Sequence, residues 1–276
     1  MAIGKSKIGI FDSGLGGLTV FKSVKQSFPN ESFIYLGDLA NLPYGDKSHE
    51  AIINRSKKIV KFLIDQRVSL IIVACNSASS VALDLLKKHT SIPIIGVIKP
   101  SILEAINSTK SNSIGIIGTH TTINSKAYQQ TLAQINDSKT IYNISSVSCP
   151  LFVPLIEEGW EDTNIAFEIS EKYLIQFKDF DIDTIILACT HYRFLFKTLH
   201  KVFNHLGFKN LHFVDCGESI SNQIAPIIGT EPSTSTFDIS MIAHDSFYIT
   251  DTSYNFNALG SKFLGYQIPE AQLIYL

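Results

Sequence analysis

Residues 71–77 read IIVACNS, and residues 185–191 read IILACTH. In both stretches a short run of Ile, Val and Leu ends at Ala-Cys, and two polar residues follow. A run that is apolar at every position is typical of a strand that is buried on both faces of a parallel sheet. The two stretches therefore predict two central parallel strands, each with a cysteine at its carboxyl end.

Similar runs recur along the chain and alternate with helix-like segments. Residues 49–66 place Ile52, Ile59 and Leu63 on one helical face, and Ser48 is a suitable N-cap. Buried strands that alternate with amphipathic helices predict an α/β fold with mostly parallel central sheets. The predicted strands are residues 7–11, 32–36, 70–74, 93–97, 113–117, 140–144, 184–188 and 211–214, followed by a short strand near 239–249 and a helix-like stretch over 252–265.

A weak internal repeat divides the chain into two halves. IGIFDSG (8–14) leads to IIVACNS, and IGIIGTH (114–120) leads to IILACTH. Open α/β sheets bind ligands at the carboxyl edge of their strands. We therefore expect two pseudo-symmetric α/β domains whose cysteines face one another across a cleft. Residues 98–100, where Pro100 interrupts the strand pattern, are the expected crossover between the halves.

The composition narrows the class of protein. The chain has 276 residues, of which 45% are hydrophobic and 17% charged, and its net charge is −2. This balance gives no electrostatic basis for binding nucleic acid or an anionic membrane. No apolar run approaches the roughly 18–20 residues of a membrane span, and the first residues do not resemble a signal peptide. We expect a cytoplasmic protein, in which four cysteines without a CxxC pair are free thiols.

The four cysteines fall into two kinds. We expect Cys149 and Cys216 to be small buried side chains, which is the usual role of an isolated cysteine. Cys75 and Cys189 each end a strand and precede hydrogen-bonding residues and a helix-like stretch. Backbone N–H groups at the start of a helix stabilise a thiolate. We therefore expect the pKa of both thiols to be lowered from about 8.5 toward neutrality.

Three chemistries could use these thiols. Cys75, Cys189 and His191 would supply three zinc ligands, but the paired spacing of ordinary zinc sites is missing. A cysteine hydrolase needs one cysteine with a histidine and an orienting residue, which leaves the second cysteine unexplained. Two thiols on opposite sides of one carbon explain both cysteines. A thiolate would remove a proton from one face while a thiol returned one to the other, and the stereocentre would be inverted.

The glycine loop DSGLGG (12–17) follows a strand, as a dinucleotide-binding loop does, and Asp38 ends the next strand. The third glycine of that motif is missing, however, and there is no Walker lysine. We interpret the loop instead as part of a zwitterion site, in which Asp12 meets an ammonium group and Ser13 a carboxylate. The loop over residues 37–48 is expected at the same edge of the sheet, where loops often carry function.

Six motifs in order resemble the glutamate racemases of the cofactor-independent aspartate/glutamate racemase superfamily. They are IGIFDSGLGGLTV, GDLANLPYG, VACNSAS, IGIIGTHTTI, CPLFVPLIEEG and ACTHY, and the similarity extends to FNALGSKFLG. The resemblance implies interconversion of L- and D-glutamate without a cofactor or metal, supply of D-glutamate for peptidoglycan, and a homodimer. It also implies a first domain of residues 1–98 plus 211–276 and a second of 99–210, with the active site between them.

The resemblance also implies roles for residues at matching positions. Cys75 and Cys189 would be the two bases, with Cys75 facing D-glutamate and Cys189 facing L-glutamate. Asp12, Glu157 and His191 would assist or tune the thiols. The substrate contacts would come from Asp12, Ser13, Tyr44, Gly45, Asn76, Ser77, Thr190 and His191.

Several positions depart from the pattern of that family. Ser77 stands where threonine is common, and Leu39-Ala40-Asn41 replaces a usual Thr-Ala-Arg. Lys99 occupies a position that is often acidic, and Arg193 follows THY where proline is usual. None of these departures removes a catalytic group.

Other functions remain open at this point. A racemase of the same superfamily could act on aspartate, because pocket depth decides between the two acids. A binding protein for an acidic amino acid would need neither cysteine, and a nucleotide-dependent oxidoreductase would need the missing glycine. The first predicted strand begins near Lys7, so we expect no N-terminal regulatory extension and no requirement for a cell-wall-precursor activator.

Overall fold

The structure, a computed structural model, describes residues 7–136, 140–234, 236–242, 244–252 and 256–276. The described residues form two sheets, and every strand pairing in them is parallel. Helices alternate with the strands along most of the chain. The α/β class predicted from the sequence is confirmed.

The strands and helices have the following bounds. The strands are β1 Lys7–Asp12, β2 Ser32–Gly37, β3 Val68–Val73, β4 Ile94–Gly96, β5 Ser113–Gly118, β6 Asn143–Ser148, β7 Thr184–Ala188, β8 His212–Asp215, β9 Ser246–Ile249 and β10 Gln272–Leu273. The helices are α1 Leu18–Ser27, α2 His49–Asp65, α3 Asn76–Val81, α4 Leu83–Lys88, α5 Ile98–Ser108, α6 His120–Asn124, α7 Ala127–Ile135, α8 Phe152–Glu157, α9 Asn164–Leu174, α10 Phe196–His205, α11 Cys216–Ser219, α12 Ser221–Ile228 and α13 Phe256–Leu264.

The two sheets repeat one arrangement of strands. The first has the order β10-β9-β2-β1-β3-β4, and the second has the order β6-β5-β7-β8. The run β2-β1-β3-β4 thus corresponds to the whole second sheet. The register corresponds as well, because Gly9 pairs with Ile71 in the first sheet and Gly115 pairs with Ile185 in the second. The repeat in the sequence is therefore a repeat of the fold.

The central strands are buried because helices cover both faces of each sheet. In β3 and β7, the two strands that precede Cys75 and Cys189, nearly every residue is buried. Helix α2 begins after Ser48, whose side chain accepts a hydrogen bond from the Ala51 N–H, as its predicted N-cap role requires. One apolar cluster contains Ile72 of the first sheet and Leu187 of the second. The two halves consequently share part of their core.

The strand predicted at 140–144 is wrong in position, because β6 runs from Asn143 to Ser148. Ile141 is 80% exposed and lies outside the sheet. Among the described strands, β6 is at an edge of its sheet and pairs with β5 alone. An edge strand need not be apolar on both faces. Because β6 contains serines, it does not show the continuous apolar run on which the strand prediction relied.

Residues 98–100 lie between β4 of the first sheet and β5 of the second, where the crossover was predicted, and they form the first turn of α5. Pro100 fits there because an N–H at that position would have no helical partner. One further boundary differs from the prediction. Residues 212–215, which the sequence assigned to the first domain, pair as β8 with β7 in the second sheet. The division into two domains stays a proposal, and we place its second boundary after Asp215.

The C-terminal segment returns to the first sheet. Strand β9 pairs with β2, and β10 pairs with β9. Within the predicted strand near 239–249, residues 239–242 form a 3-10 turn instead. Helix α13 is the described part of the helix predicted over 252–265, and residues 253–255 lie outside the described residues. Among the helices that the structure describes, none has both the length and the apolar character to cross a membrane.

Candidate active site

A cavity of about 160 Å³ lies at the carboxyl ends of the central strands of both sheets. In each sheet the chain leaves the central strand toward one neighbour and later returns on the other side, so the following loops diverge and leave a crevice. The two crevices share this one cavity. Of the predicted site residues, it is lined by Ser13, Tyr44, Gly45, Cys75, Asn76, Ser77, Glu157, Cys189, Thr190 and His191.

Cys75 forms the wall that the first sheet contributes. It is the N-cap of α3, and its sulfur accepts a hydrogen bond from the Ala78 N–H at 3.5 Å. The Ser13 hydroxyl lies 3.6 Å from the same sulfur. Burial and the neighbouring charge of Asp12 nevertheless raise the pKa of Cys75 to about 12. The predicted lowering of this pKa is wrong, because the helix N–H groups are outweighed by the loss of water around the thiol.

Cys189 forms the opposite wall, directly after β7. Burial again raises its pKa well above the ordinary value, and the His191 backbone N–H opposes that rise. The residues that follow form a 3-10 turn, Tyr192–Leu195, before α10 begins, so the helix dipole expected at this thiol is replaced by a single short turn. The free protein therefore holds both cavity cysteines as neutral thiols.

His191 connects Cys189 to Glu157. Its Nδ1 atom lies 4.0 Å from the Cys189 sulfur, and its Nε2 atom lies 3.2 Å from Glu157 Oε1. His191 is buried, and its ring and that of Phe263 form an edge-to-face pair at 5.0 Å between centroids. If Nε2–H donates to the carboxylate, Nδ1 is an acceptor, within reach of both the Cys189 thiol and, at 3.5 Å, the Thr190 hydroxyl. The three side chains thus form a chain of groups along which a proton can move.

Asp12 does not line the cavity, in contrast to the other predicted site residues. Its Oδ2 atom accepts a hydrogen bond from the Gly14 N–H at 3.0 Å. The Oδ1 atom is buried without a hydrogen-bond partner among the described residues. Burial raises the pKa of this carboxyl group, while His191 and nearby backbone N–H groups lower it. Asp12 therefore lies behind the cavity wall as a buried acid near both thiols.

The glycine loop has a packing role that explains its sequence. A side chain at Gly16 would collide with His191 and Thr190 of the second half. The loop thus lets the two halves approach closely, and Thr19, at the position of the missing glycine, donates a hydrogen bond to the Thr190 carbonyl at 3.3 Å. Asp38 is fully buried and held by Arg55 and the Tyr44 hydroxyl, so it is not available to a nucleotide ribose.

At one end of the cavity, the predicted Ser77 lies beside two threonine hydroxyl groups that the sequence analysis did not identify. The Ser77 hydroxyl lies 2.9 Å from that of Thr119, which also lines the cavity. Next to them the Thr121 hydroxyl donates to the Gly45 carbonyl at 2.9 Å, across the cleft. The internal repeat could have predicted Thr119, because Thr119 occupies the position in IGIIGTH that Ser13 occupies in IGIFDSG.

The departures from the family pattern lie outside the cavity, with Ser77 as the exception. Lys99 is exposed, and Arg193 pairs with Asp215 and Glu218. Residues 39–41 form a 3-10 turn whose Asn41 side chain donates to Asp38. Cys149 and Cys216 are buried free thiols, as predicted. In the part of the chain that the structure describes, no group of three His, Cys, Asp or Glu residues is arranged to hold a metal ion.

Comparison with known proteins adds independent information. The family model for Asp/Glu/Hydantoin racemase matches residues 8–218. A glutamate racemase from Geobacter metallireducens is 37% identical over 98% of this chain and 96% of its own length. One from Aquifex aeolicus is 39% identical over 95% of each chain.

Solved structures show the same similarity. The crystal structure of glutamate racemase from Francisella tularensis in complex with D-glutamate superposes with a TM-score of 0.85 at 33% identity, over 98% of this chain and 97% of the other. An aspartate racemase from Picrophilus torridus has a TM-score of 0.57 at 16% identity, over 83% of this chain and 96% of the other. The second likeness shows the fold alone.

Proposed function

Because this chain belongs to the Asp/Glu/Hydantoin racemase family, we propose that it interconverts L- and D-glutamate through two cysteine thiols. As a thiolate, Cys189 removes the α-proton from one face, and the electron pair of that C–H bond stays on the substrate. Cys75 then delivers its thiol proton to the opposite face. Cys189 ends as a thiol and Cys75 as a thiolate, and the reverse reaction exchanges their roles.

The equivalence of the two cysteines is the observation that best supports this proposal. Each follows the corresponding strand of its sheet, and both line one cavity from opposite halves of the protein. A binding protein would need no thiol at either position, and a hydrolase would need one. Inversion at carbon needs two acid–base groups on opposite sides of one atom.

The neighbours of the two thiols favour different protonation states. Cys189 has an imidazole within reach, and Glu157 would stabilise the imidazolium that forms when His191 takes the thiol proton. Cys75 instead lies near Asp12, whose negative charge disfavours a second anion. We therefore assign the first thiolate to Cys189 and the first proton donor to Cys75.

The substrate would supply the charge that the thiols need. Burial raises the pKa of both, so neither ionises readily in the free protein. The ammonium group of an amino acid, bound near the buried Asp12, would favour the charged form of each sulfur. We propose that the thiolate forms after the substrate has entered, which limits reaction of the thiols with other electrophiles.

The size and polarity of the cavity support a small dicarboxylic amino acid. Its volume of about 160 Å³ is below the ~300–1,000 Å³ of sites for drug-sized ligands. The hydroxyl groups of Ser77 and Thr119 could hold one carboxylate, and the Ser13 and Asn76 side chains the other. The high identity to glutamate racemases supports glutamate over aspartate.

The wider role follows from the same family. We propose that the protein supplies D-glutamate for peptidoglycan, acts in the cytoplasm without a cofactor, and forms a homodimer. These features rest on the resemblance of the chain to glutamate racemases.

An isotope experiment tests the proposed reaction. The purified protein is incubated in heavy water with L-glutamate and, separately, with L-aspartate, and no cofactor is added. We expect glutamate to lose its circular dichroism and the D-product to carry one deuterium at the α-carbon. The proposal would be overturned if neither glutamate nor aspartate showed inversion or deuterium exchange. Faster turnover of aspartate would favour the alternative substrate.

A further inference from the structure

The amide of Asn76 is held from behind by two residues that do not line the cavity. Asn76 follows Cys75 directly, is 3% exposed and forms part of the cavity wall. The Tyr128 hydroxyl donates a hydrogen bond to its Oδ1 atom at 2.7 Å. Its Nδ2 atom donates to the Cys216 sulfur at 3.6 Å. Both supporting residues are themselves 2% exposed.

These contacts determine which amide atom is available to a ligand. A primary amide has one carbonyl oxygen and two N–H donors. In Asn76 the oxygen accepts from Tyr128, and one N–H is directed at Cys216. Burial raises the pKa of Tyr128 well above its ordinary value, so the phenol keeps its proton and acts as a donor. The second N–H of Asn76 is the group left for the cavity.

The hydrogen bond also joins the two halves of the protein. Asn76 begins α3, directly after the loop that follows β3 of the first sheet, whereas Tyr128 lies in α7, which packs on the second half. The orientation of the amide therefore depends on a contact between the two halves of the protein. The same two halves contribute Cys75 and Cys189 to the cavity.

We propose that Tyr128 is a positioning residue, which orients Asn76 so that an amide N–H, and not its carbonyl oxygen, meets a carboxylate of the substrate. The inference rests on the proposed function, because it needs an anionic group in the cavity. Without the phenol, the amide could turn over with little change of shape. Its carbonyl oxygen would then face the carboxylate, and like partial charges would repel each other. Cys216 supports the same orientation more weakly, because sulfur is a weak acceptor.

The test is a double-mutant cycle on steady-state racemisation. Tyr128→Phe removes the hydroxyl and keeps the ring, and we expect KM to rise about tenfold with kcat changed less than about threefold. Asn76→Ala should raise KM at least as much. In the Asn76→Ala background, Tyr128→Phe should have no further effect, because Tyr128 acts through that amide.

Two further variants separate positioning from stability. Tyr192→Phe removes another buried phenol hydrogen bond, from the Tyr192 hydroxyl to the Cys149 carbonyl at 2.8 Å. It should lower the melting temperature about as much as Tyr128→Phe while KM stays near that of the wild type. Asn76→Asp keeps an acceptor for Tyr128 but replaces the N–H with an anionic oxygen, so it should bind glutamate more weakly than Asn76→Ala.

The outcomes distinguish this inference from the proposed function. If the wild-type protein racemises neither glutamate nor aspartate, the proposed function fails and the inference fails with it. If the wild type is active and Tyr128→Phe leaves KM unchanged, the inference alone is wrong. It is also wrong if Tyr128→Phe raises KM equally in the wild-type and Asn76→Ala backgrounds, because the phenol would then act through another contact.

Discussion

The Nε2 atom of His191 lies 3.2 Å from Oε1 of Glu157. This contact directs the other ring nitrogen toward the Cys189 sulfur, at 4.0 Å. The imidazole side chain is 5% exposed, whereas the carboxylate is 33% exposed. Glu157 therefore places a partly solvated carboxylate against a buried imidazole ring and orients that ring toward Cys189.

Glu157→Gln should slow racemisation without preventing substrate binding. Glutamine still accepts a hydrogen bond from Nε2–H, but it no longer stabilises a positive imidazolium ring. We expect kcat/KM to fall about tenfold, or roughly 1.4 kcal/mol of transition-state stabilisation. The fall in kcat/KM should be equal in both directions, because a substitution in the enzyme cannot change the equilibrium constant of the racemisation. Both values can be measured by circular dichroism, starting from each enantiomer in turn.

Glu158→Gln is the matched control for that change. Glu158 is the next residue along the chain, is exposed and does not line the cavity. Its variant should retain wild-type kinetics. Equal effects of the two substitutions would contradict a specific role for Glu157.

Cys75→Ser and Cys189→Ser should each abolish racemisation in both directions. A serine hydroxyl has a much higher pKa than a thiol, so it stays protonated and cannot serve as the base that removes the α-proton. It is also a poor acid for returning a proton to the opposite face. The surviving thiolate can still exchange the proton that faces it. In heavy water we therefore expect Cys75→Ser to introduce deuterium at the α-carbon of L-glutamate, and Cys189→Ser at that of D-glutamate, in both cases without inversion. Mass spectrometry measures the deuterium.

Cys149→Ala is the matched control for the cysteine variants. Cys149 is fully buried, and the cavity does not include it. Its variant should lose some stability but keep racemisation. A variant of Cys75 or Cys189 with near wild-type racemisation would show that its sulfur is only a packed side chain.

The raised thiol pKa predicts how the free protein titrates. With a pKa of about 12, against an ordinary value of 9.0, Cys75 stays protonated through neutral and mildly alkaline pH. Subtracting the ultraviolet titration of Cys75→Ser from that of the wild type should reveal no thiolate step near pH 9.0. A step at the ordinary value would mean that the thiol is solvated in the free protein.

The same shift has a consequence for stability. The folded state binds the Cys75 proton more tightly than the unfolded chain does. The contribution to stability is therefore complete below pH 9.0 and is lost as pH rises toward about 12. The melting temperature of the wild type should fall more steeply over this range than that of Cys75→Ala.

Ser77 tests the hydroxyl end of the cavity. Ser77→Ala removes the hydroxyl that lies 2.9 Å from Thr119, and we expect KM for glutamate to rise about tenfold because a hydrogen bond to a charged carboxylate is lost. Ser77→Thr introduces the residue that the family resemblance leads us to expect at this position and keeps the hydroxyl. It should retain a KM within about threefold of the wild type. An equal loss in both variants would show that side-chain size decides binding there.

Activity should not depend on an added metal or pyridoxal phosphate, because two side chains transfer the proton. The described residues contain no cluster of three potential metal ligands. After dialysis against a chelator, racemisation should continue at the original rate. Loss of activity that either addition restores would contradict the two-thiol mechanism.

The strand prediction succeeded where burial is symmetrical. Strands β1, β3, β5 and β7 are covered on both faces, so hydrophobicity alone identified them to within about two residues. It was wrong for β6, because only one neighbouring strand pairs with it and polar residues are tolerated there. Strand β8 was found, but its membership of the second sheet depends on a pairing between distant segments.

The position of both cysteines was a property of the sequence itself. An apolar run that stops at Ala-Cys predicts where the strand ends, and a repeated run predicts two such ends. Their thiol pKa depends on something the sequence does not contain, namely how much water the folded chain removes. Backbone N–H groups lower the thiol pKa, whereas burial raises it. In the folded protein the effect of burial is the larger of the two.

The supporting contacts of the site are also a product of the folded chain. Tyr128 and Asn76 are separated by 52 residues and lie in different halves, yet they share one hydrogen bond. Neither residue is marked by local periodicity as a partner of the other. Periodicity is a property of neighbouring residues, so the sequence determined the strands, their carboxyl ends and the catalytic candidates. Contacts across the cleft join residues of two separate sheets, so their geometry was decided by the tertiary structure.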